Sequence, residues 1–184
     1  MDEQEAIRRL KSGDIGGLEM LVRQYQVRAV RTAFLITHDA AQAEDVVQDA
    51  FLQAFRSIRH FDQNRSFAAW FMRNVINTAV KAAQKGARRA SVQPAGDDPD
   101  LENWLAAEGS LEQQVETSEF QQRVWEALQK LSPRQRAVIV QRYFLDASER
   151  EIAADLKAAP GTVKWLLHAA RKNLHSLLSE RTEK

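Results

Sequence analysis

Residues 148–175 read SEREIAADLKAAPGTVKWLLHAARKNLH, and the pattern predicts two helices joined by a short turn. The first helix begins with a capping box, in which the hydroxyl of Ser148 and the carboxylate of Glu151 accept the amides that a helix start leaves open. Small Ala153 lies where the two helices must cross closely. The second helix begins at Pro160, because proline is favoured in the first turn of a helix.

The second of these helices has the composition expected of a helix that lies in a DNA groove. It starts with small and hydroxyl residues and then carries Lys164, His168, Arg171 and Lys172. A slim start can approach base edges in the major groove, and the later cations can reach phosphates. Spacing alone leaves an ordinary helical hairpin as the alternative.

Apolar residues at steps of three and four predict helices upstream, over about residues 15–36, 41–59 and 66–85. The apolar stripe of the middle helix includes Phe51 and Phe55, which we expect to face inward. These helices would form a bundle with its own core. The sequence therefore predicts a first helical domain over residues 1–89.

Residues 90–110 differ from the rest, with two prolines, two glycines and little periodicity, and they predict a flexible acidic linker. A second domain follows over residues 111–184, where Ser132 and Pro133 give another helix start. The predicted fold is therefore all-α, with two small helical domains joined by the linker.

Composition excludes several classes of protein. The chain has 184 residues and no cysteine, so disulfide scaffolds, thiolate metal sites and cysteine nucleophiles are ruled out. No apolar run approaches the roughly 18 residues that span a bilayer, and the acidic N-terminus does not resemble a signal peptide. We expect a cytoplasmic protein.

The net charge of +1 conceals separate charged blocks. Residues 65–89 hold six bases and no acid, whereas residues 90–122 hold eight acids and no base. Cationic blocks on two predicted helices favour a nucleic-acid partner, although any single block could be a solvated helix face.

Two groups of segments resemble the two conserved regions of the extracytoplasmic-function (ECF) sigma factors of bacterial RNA polymerase. The segments similar to region two are LEMLVRQY (18–25), AEDVVQDAFLQAF (43–55) and SFAAWFMRNVIN (66–77). Those similar to region four are LQKLSPRQR (128–136), EREIAADL (149–156), GTVK (161–164) and LHAAR (167–171). They follow the family's order and cover most of the chain.

The resemblance implies a protein that binds core RNA polymerase and directs promoter-specific transcription initiation, including duplex opening at the minus-ten element. The implied partners are core RNA polymerase, promoter DNA and an anti-sigma factor, with no cofactor and no membrane insertion. RNA synthesis itself belongs to the polymerase, so the chain is not expected to be an enzyme.

The resemblance also implies three groups of contact residues. The polymerase-binding group is Asp45, Gln48 and Asp49. The minus-ten group is Trp70, Arg73, Asn74, Asn77, Thr78, Lys81 and Lys85. The minus-thirty-five group is Gly161, Thr162, Lys164, Trp165, His168, Arg171 and Lys172. Trp70 lies in an apolar stripe, so core packing is the better interpretation of its ring.

The chain departs from the family pattern in the second domain. The family commonly has glycine where Lys157 stands, serine and arginine where Trp165 and Leu166 stand, and arginine where Ala169 stands. Fewer cations mean fewer phosphate contacts and a shallower dependence of binding on salt.

Other functions remain as alternatives. The helix that begins at Pro160 has fewer cations than the family pattern, which also fits a degenerate sigma-like module that binds a partner without driving transcription. A helix-turn-helix repressor is a further option. Enzyme function has little support, because the sequence has no phosphate-binding glycine loop and its four histidines are scattered.

Overall fold

The computed structural model of the chain describes residues 2–90 and 122–179. Its helices are α1 (Glu3–Lys11), α2 (Gly16–Thr37), α3 (Ala40–Ser57), α4 (Phe67–Ala90), α5 (122–129), α6 (Pro133–Tyr143), α7 (Glu149–Asp155) and α8 (Pro160–Ser179), with a 3-10 turn at Ile58–His60. The described ranges contain no strand, which confirms the all-α prediction. All but the first residue of the predicted linker lie outside the described residues.

Side-chain caps define the helix starts where the sequence predicts them. The hydroxyls of Ser132 and Ser148 each accept the amide three residues on, and both form complete capping boxes. Ser66 accepts the amide of Ala69 at 3.2 Å at the start of α4. Each cap satisfies an amide that the helix geometry leaves without a partner.

Aromatic rings fill the centre of the first half. Phe71 is fully buried, and its ring centroid lies 4.4 Å from that of Phe51 and 5.8 Å from that of Phe67. The prediction for Phe55 was wrong, because its side chain is 39% exposed on α3. Phe51, Ala54 and Ile58 are buried in the core, whereas Phe55, one turn after Phe51, faces outward.

Helix α1 closes one side of this core through a near approach to α2. Ala6, Ile7 and Leu10 are buried on the inner face of α1. A Cβ atom at Gly17 would lie only 2.8 Å from the backbone nitrogen of Leu10. Glycine at this position therefore lets the two backbones approach closely.

The second half has a core of its own, built mainly on α6 and α8. Val138, Ile152, Val163 and Leu167 are fully buried in it. Ala137 and Val140, on another face of α6, belong instead to the core of the first half. The two halves are thus packed together, and the predicted separate bundle over residues 1–89 is incomplete without α6.

Lys157, at the turn between α7 and α8, has a left-handed backbone conformation with φ of 49°. This conformation costs a residue with a Cβ atom about 1–2 kcal/mol, whereas glycine adopts it freely. The structure thus gives a physical reason for glycine at this position, where the chain has lysine.

We expect Lys157→Gly to raise the free energy of unfolding by about 0.5–1 kcal/mol, because relief of strain exceeds the added entropy of the unfolded chain. Urea denaturation measures the change. Ala158→Gly is the matched control, since Ala158 is not among the described residues with positive φ, and it should lower stability by a similar amount. Equal destabilisation by both variants would contradict the strain argument.

Candidate nucleic-acid interface

Helix α8 divides cleanly into a buried and an exposed face. Val163, Leu166, Leu167 and Ala170 pack into the core of the second half. The predicted minus-thirty-five residues all lie on the exposed face: Gly161, Thr162, Lys164, Trp165, His168, Arg171 and Lys172. Because the opposite face of α8 packs into the core, all seven of these residues remain accessible to solvent.

The departures from the family pattern in α8 have different structural consequences. Leu166 is buried, so an apolar residue there serves packing between α6, α7 and α8. Trp165 is 66% exposed, the largest exposed ring on this helix. A large ring held in water beside Lys164 is a surface suited to binding rather than to folding.

The predicted minus-ten residues on α4 share one side of the helix. Asn74, Asn77 and Thr78 are half-buried, and Lys81 and Lys85 are exposed. These positions recur at steps of three and four, so the amide and hydroxyl groups are followed by cations along the helix.

Trp70 stands at the start of this row with its ring partly buried. Its centroid lies 5.0 Å from that of Phe61 and 5.5 Å from that of Phe67. The core-packing interpretation therefore accounts for one side of the indole, which is fixed in position by two neighbouring rings.

Arg73 lies on α4 but is bonded to the second half. Its Nε atom is 3.1 Å from a carboxylate oxygen of Asp155, and its terminal nitrogen donates to the backbone carbonyl of Ala154. Burial raises the pKa of Asp155 even though the positive charge of Arg73 opposes that shift. The guanidinium of Arg73 is thus bonded to residues of α7 in this arrangement of the chain.

The outer face of α3 carries the predicted polymerase-binding residues. Asp45, Gln48 and Asp49 are exposed, as the alternation with buried Val46 and Val47 requires. Leu52 and Phe55 continue the same exposed face one and two turns further along. The sequence analysis missed both residues: it placed Phe55 in the core because of its helical step, and it assigned no role to Leu52.

A cluster around His38 joins the two halves and was also missed. Its ring centroid lies 4.0 Å from that of Trp125, which stacks on Phe34 at 4.6 Å. Neither ring nitrogen of His38 has a hydrogen-bond partner among residues 2–90 and 122–179, and burial together with the charge of Arg136 lowers its pKa to about 3. The only sequence signal was the break between α2 and α3, where His38 has φ of 57°.

Groups of three or more His, Asp or Glu side chains that could hold a metal ion do not occur in the described ranges. None of the described helices combines the length and the apolar character needed to cross a membrane.

Comparison with known proteins places the chain in one family. Residues 21–89 match the model of Sigma-70 region 2, and residues 121–174 match that of Sigma-70, region 4. The RNA polymerase sigma-H factor of Pseudomonas aeruginosa is 28% identical over 184 residues, covering 96% of this chain and 93% of that protein. The ECF RNA polymerase sigma factor SigL of Mycobacterium tuberculosis is 34% identical over 151 residues, 82% of each chain.

Two solved structures share the fold. CnrH, in complex with the cytosolic domain of CnrY, has a TM-score of 0.65 at 24% identity and covers 97% of both chains. The sigma factor RpoE of Bartonella quintana, in complex with the anti-sigma factor NepR, also has a TM-score of 0.65, at 23% identity over 88% of this chain and 96% of RpoE. With both region models matched in order and relatives aligned along most of its length, the chain belongs to the ECF sigma factor family.

Proposed function

We propose that this protein binds core RNA polymerase and directs initiation at specific promoters, with α4 opening the minus-ten duplex and α8 binding the minus-thirty-five element. The observation that carries the proposal is the pair of exposed polar and cationic rows on these two helices. Each row has a buried face behind it, so packing fixes the helix and turns the row outward. The domains are those over residues 1–89 and 111–184, and no cofactor or catalytic residue is required.

Helix α4 supplies what an opened duplex needs. An unpaired base requires hydrogen-bonding groups for its edge and a surface for its ring, and the strand requires cations. Asn74, Asn77 and Thr78 offer the polar edges, and Trp70 offers the exposed side of its indole. Lys81 and Lys85 lie further along the same row to meet phosphates.

Helix α8 has the form of a groove-reading helix. Gly161 and Thr162 keep its start slim, and Lys164 and Trp165 follow within the first two turns. Trp165 can pack on a sugar or a thymine methyl group. His168, Arg171 and Lys172 lie later, where a helix leaves the bases and meets the backbone.

The outer face of α3 is our candidate for polymerase contact. Asp45 and Asp49 present negative charge, and exposed Leu52 and Phe55 add apolar area beside it. Such a mixed face suits a basic partner helix, with charge setting specificity and the apolar side chains adding burial. The fold neighbours crystallised with CnrY and NepR support an anti-sigma factor as a further partner.

Run-off transcription with core polymerase and a promoter library tests the proposal. Transcripts that depend on the added chain and start at defined sites are the expected result. The chain could instead be a degenerate sigma-like module, a reading favoured by the departures in α8. Polymerase binding without any transcript would support that module, and tight duplex binding without polymerase would support a repressor.

Lys164 and Arg171 should contribute to upstream binding in different ways. Arg171 lies nearly two turns after Lys164 on the exposed face of α8, so we expect it to contact phosphate only. Arg171→Ala should weaken binding about equally on all upstream sequences and reduce the salt slope by roughly one unit. Lys164→Ala should in addition change the ranking of upstream sequences.

The measurement titrates the polymerase-bound chain against a panel of upstream duplexes at several salt concentrations. Lys130→Ala removes an exposed cation of the same half outside α8 and serves as the control. Unchanged affinity and slope in both α8 variants would mean that this helix does not lie in the groove.

A further inference from the structure

The two halves of the chain are joined by specific contacts. Arg73 of α4 pairs with Asp155 of α7 at 3.1 Å, and Phe34 of α2 stacks on Trp125 of α5 with planes only 3° apart. Val140 of α6 is buried in the core of the first half. The two halves, each of which carries a helix that we assign to one promoter element, are therefore held against each other.

This closed arrangement is too short to occupy both elements at once. Promoter positions near minus ten and minus thirty-five are about 25 base pairs apart, which at ~3.4 Å each is roughly 85 Å of duplex. A compact chain of 184 residues has a radius of gyration of about 16 Å and a diameter near 40 Å. The chain must open before it can bind a promoter as proposed.

We propose that the closed packing is an inactive form of this sigma factor, and that a latch formed by His38, Trp125 and Arg136 holds it shut and releases when His38 takes up a proton. That the closed form is inactive rests on the proposed function, whereas the latch is a property of the free chain.

The surroundings of His38 accept only a neutral ring. The ring packs against Trp125 of α5, with the ring of Phe34 further away at 6.4 Å. Among the described residues, neither of its buried nitrogens has a hydrogen-bond partner. The charged group that acts on it from α6 is Arg136, whose Nε atom is also buried and has no hydrogen-bond partner in the described part of the chain. The neighbouring carboxylate of Asp39 is engaged with the amide of Gln42 at 2.9 Å, as the cap of α3.

A proton on His38 would therefore place a second positive charge beside Arg136, with no acceptor for either ring N–H among the residues that the structure describes. Burial already lowers the pKa of Arg136 to about 10, which shows how poorly this position solvates charge. Opening the two halves returns both groups to water. There His38 also lies at the C-terminus of α2, where the helix dipole favours a cation.

The direction of the pH effect follows from linkage. The pKa of His38 is about 3 in the closed form and near its ordinary value of 6.5 once exposed, so the open form binds the proton more tightly. The closed form loses stability as the pH falls below 6.5. From pH 7.5 to pH 5.5 the ratio of open to closed chain should rise about tenfold. The raised pKa of Asp155 acts in the opposite sense, because protonation of that carboxyl favours the closed form.

The absence of cysteine in the sequence makes the equilibrium directly measurable. Cysteines introduced at exposed Gln24 of α2 and Arg150 of α7 carry a pair of spin labels or fluorophores, and the distance distribution gives the fraction of open chain. We expect the open-to-closed ratio of the free chain to rise about tenfold on going from pH 7.5 to 5.5.

His38→Asn should abolish this pH response, since asparagine tolerates the left-handed backbone and does not titrate. His60→Asn removes an exposed histidine and should leave the response intact. Trp125→Ala should give a mainly open chain at both pH values. The latch proposal would be refuted if the distance distribution of the parent chain did not change with pH. It would also be refuted if the His38→Asn variant still responded to pH.

A second measurement tests whether the closed form is inactive. The apparent affinity of the full chain for a fluorescent single-stranded minus-ten oligonucleotide should rise with the open fraction, because only open chain binds. Trp125→Ala should therefore bind more tightly at pH 7.5 than the parent. If the Trp125→Ala chain is open but binds the oligonucleotide with the affinity of the parent chain, the closed form is not inactive. A chain that opens but binds no promoter strand in any variant would instead refute the proposed function and leave the latch standing.

Discussion

Replacing Phe71 by alanine is expected to lower the free energy of unfolding by about 3–5 kcal/mol, the largest effect of any single change considered for this chain. The ring is fully buried and meets Tyr25, Phe51 and Phe67 at centroid distances between 4.4 and 5.9 Å. Truncation leaves a cavity in the centre of the first half. It also removes several ring contacts that neighbouring helices cannot restore.

Phe55→Ala on the neighbouring helix is the matched control. The same atoms are removed from a side chain that is 39% exposed, so we expect a loss of about 1 kcal/mol or less. Urea denaturation followed by circular dichroism gives both values. Equal losses would mean that the aromatic core does not carry the stability of this half.

Asn77→Ala is expected to reduce promoter opening about tenfold or more while leaving polymerase binding unchanged, since one lost contact to a base edge is worth roughly 1–3 kcal/mol. Within the described part of the chain no hydrogen bond engages the Asn77 side chain, so its amide is available to an extruded base. Alanine is the better helix former, and the substitution should not unfold α4.

Permanganate footprinting measures the opened region, and competition for core polymerase measures binding. Gln84→Ala is the control, because Gln84 lies two turns later on the same side of α4 and outside the predicted group. A parallel loss of opening and of polymerase binding would assign Asn77 a structural role.

Local chemistry explains why much of the fold could be predicted. The caps at Ser132 and Ser148 involve residues three apart, and the amphipathic stripes repeat within one helix, so both are visible in the sequence. The same holds for the exposed rows on α4 and α8, because a buried face fixes the opposite face. Phe55 is the exception, since periodicity counts an apolar residue as core even where it faces solvent.

The contacts between distant segments could not be predicted in this way. The Arg73 and Asp155 charges are far apart in the sequence, and nothing near either one indicates the other. The burial of His38 depends on Trp125, which belongs to the other half. Helix α6 packs against both cores with different faces. Periodicity alone does not show which face packs against which half.

The burial of Val140 in the core of the first half has a consequence for how the protein is made. The surface that receives α6 is complete once α4 has been synthesised, about 50 residues before Val140, which at ~5–20 residues per second is an interval of roughly 3–10 seconds. During that time each nascent chain carries an uncovered His38 and an unpaired Arg73. A polymerase or a regulatory protein that arrives in this interval meets α4, which we propose as the minus-ten helix, before the second half of the chain can cover it.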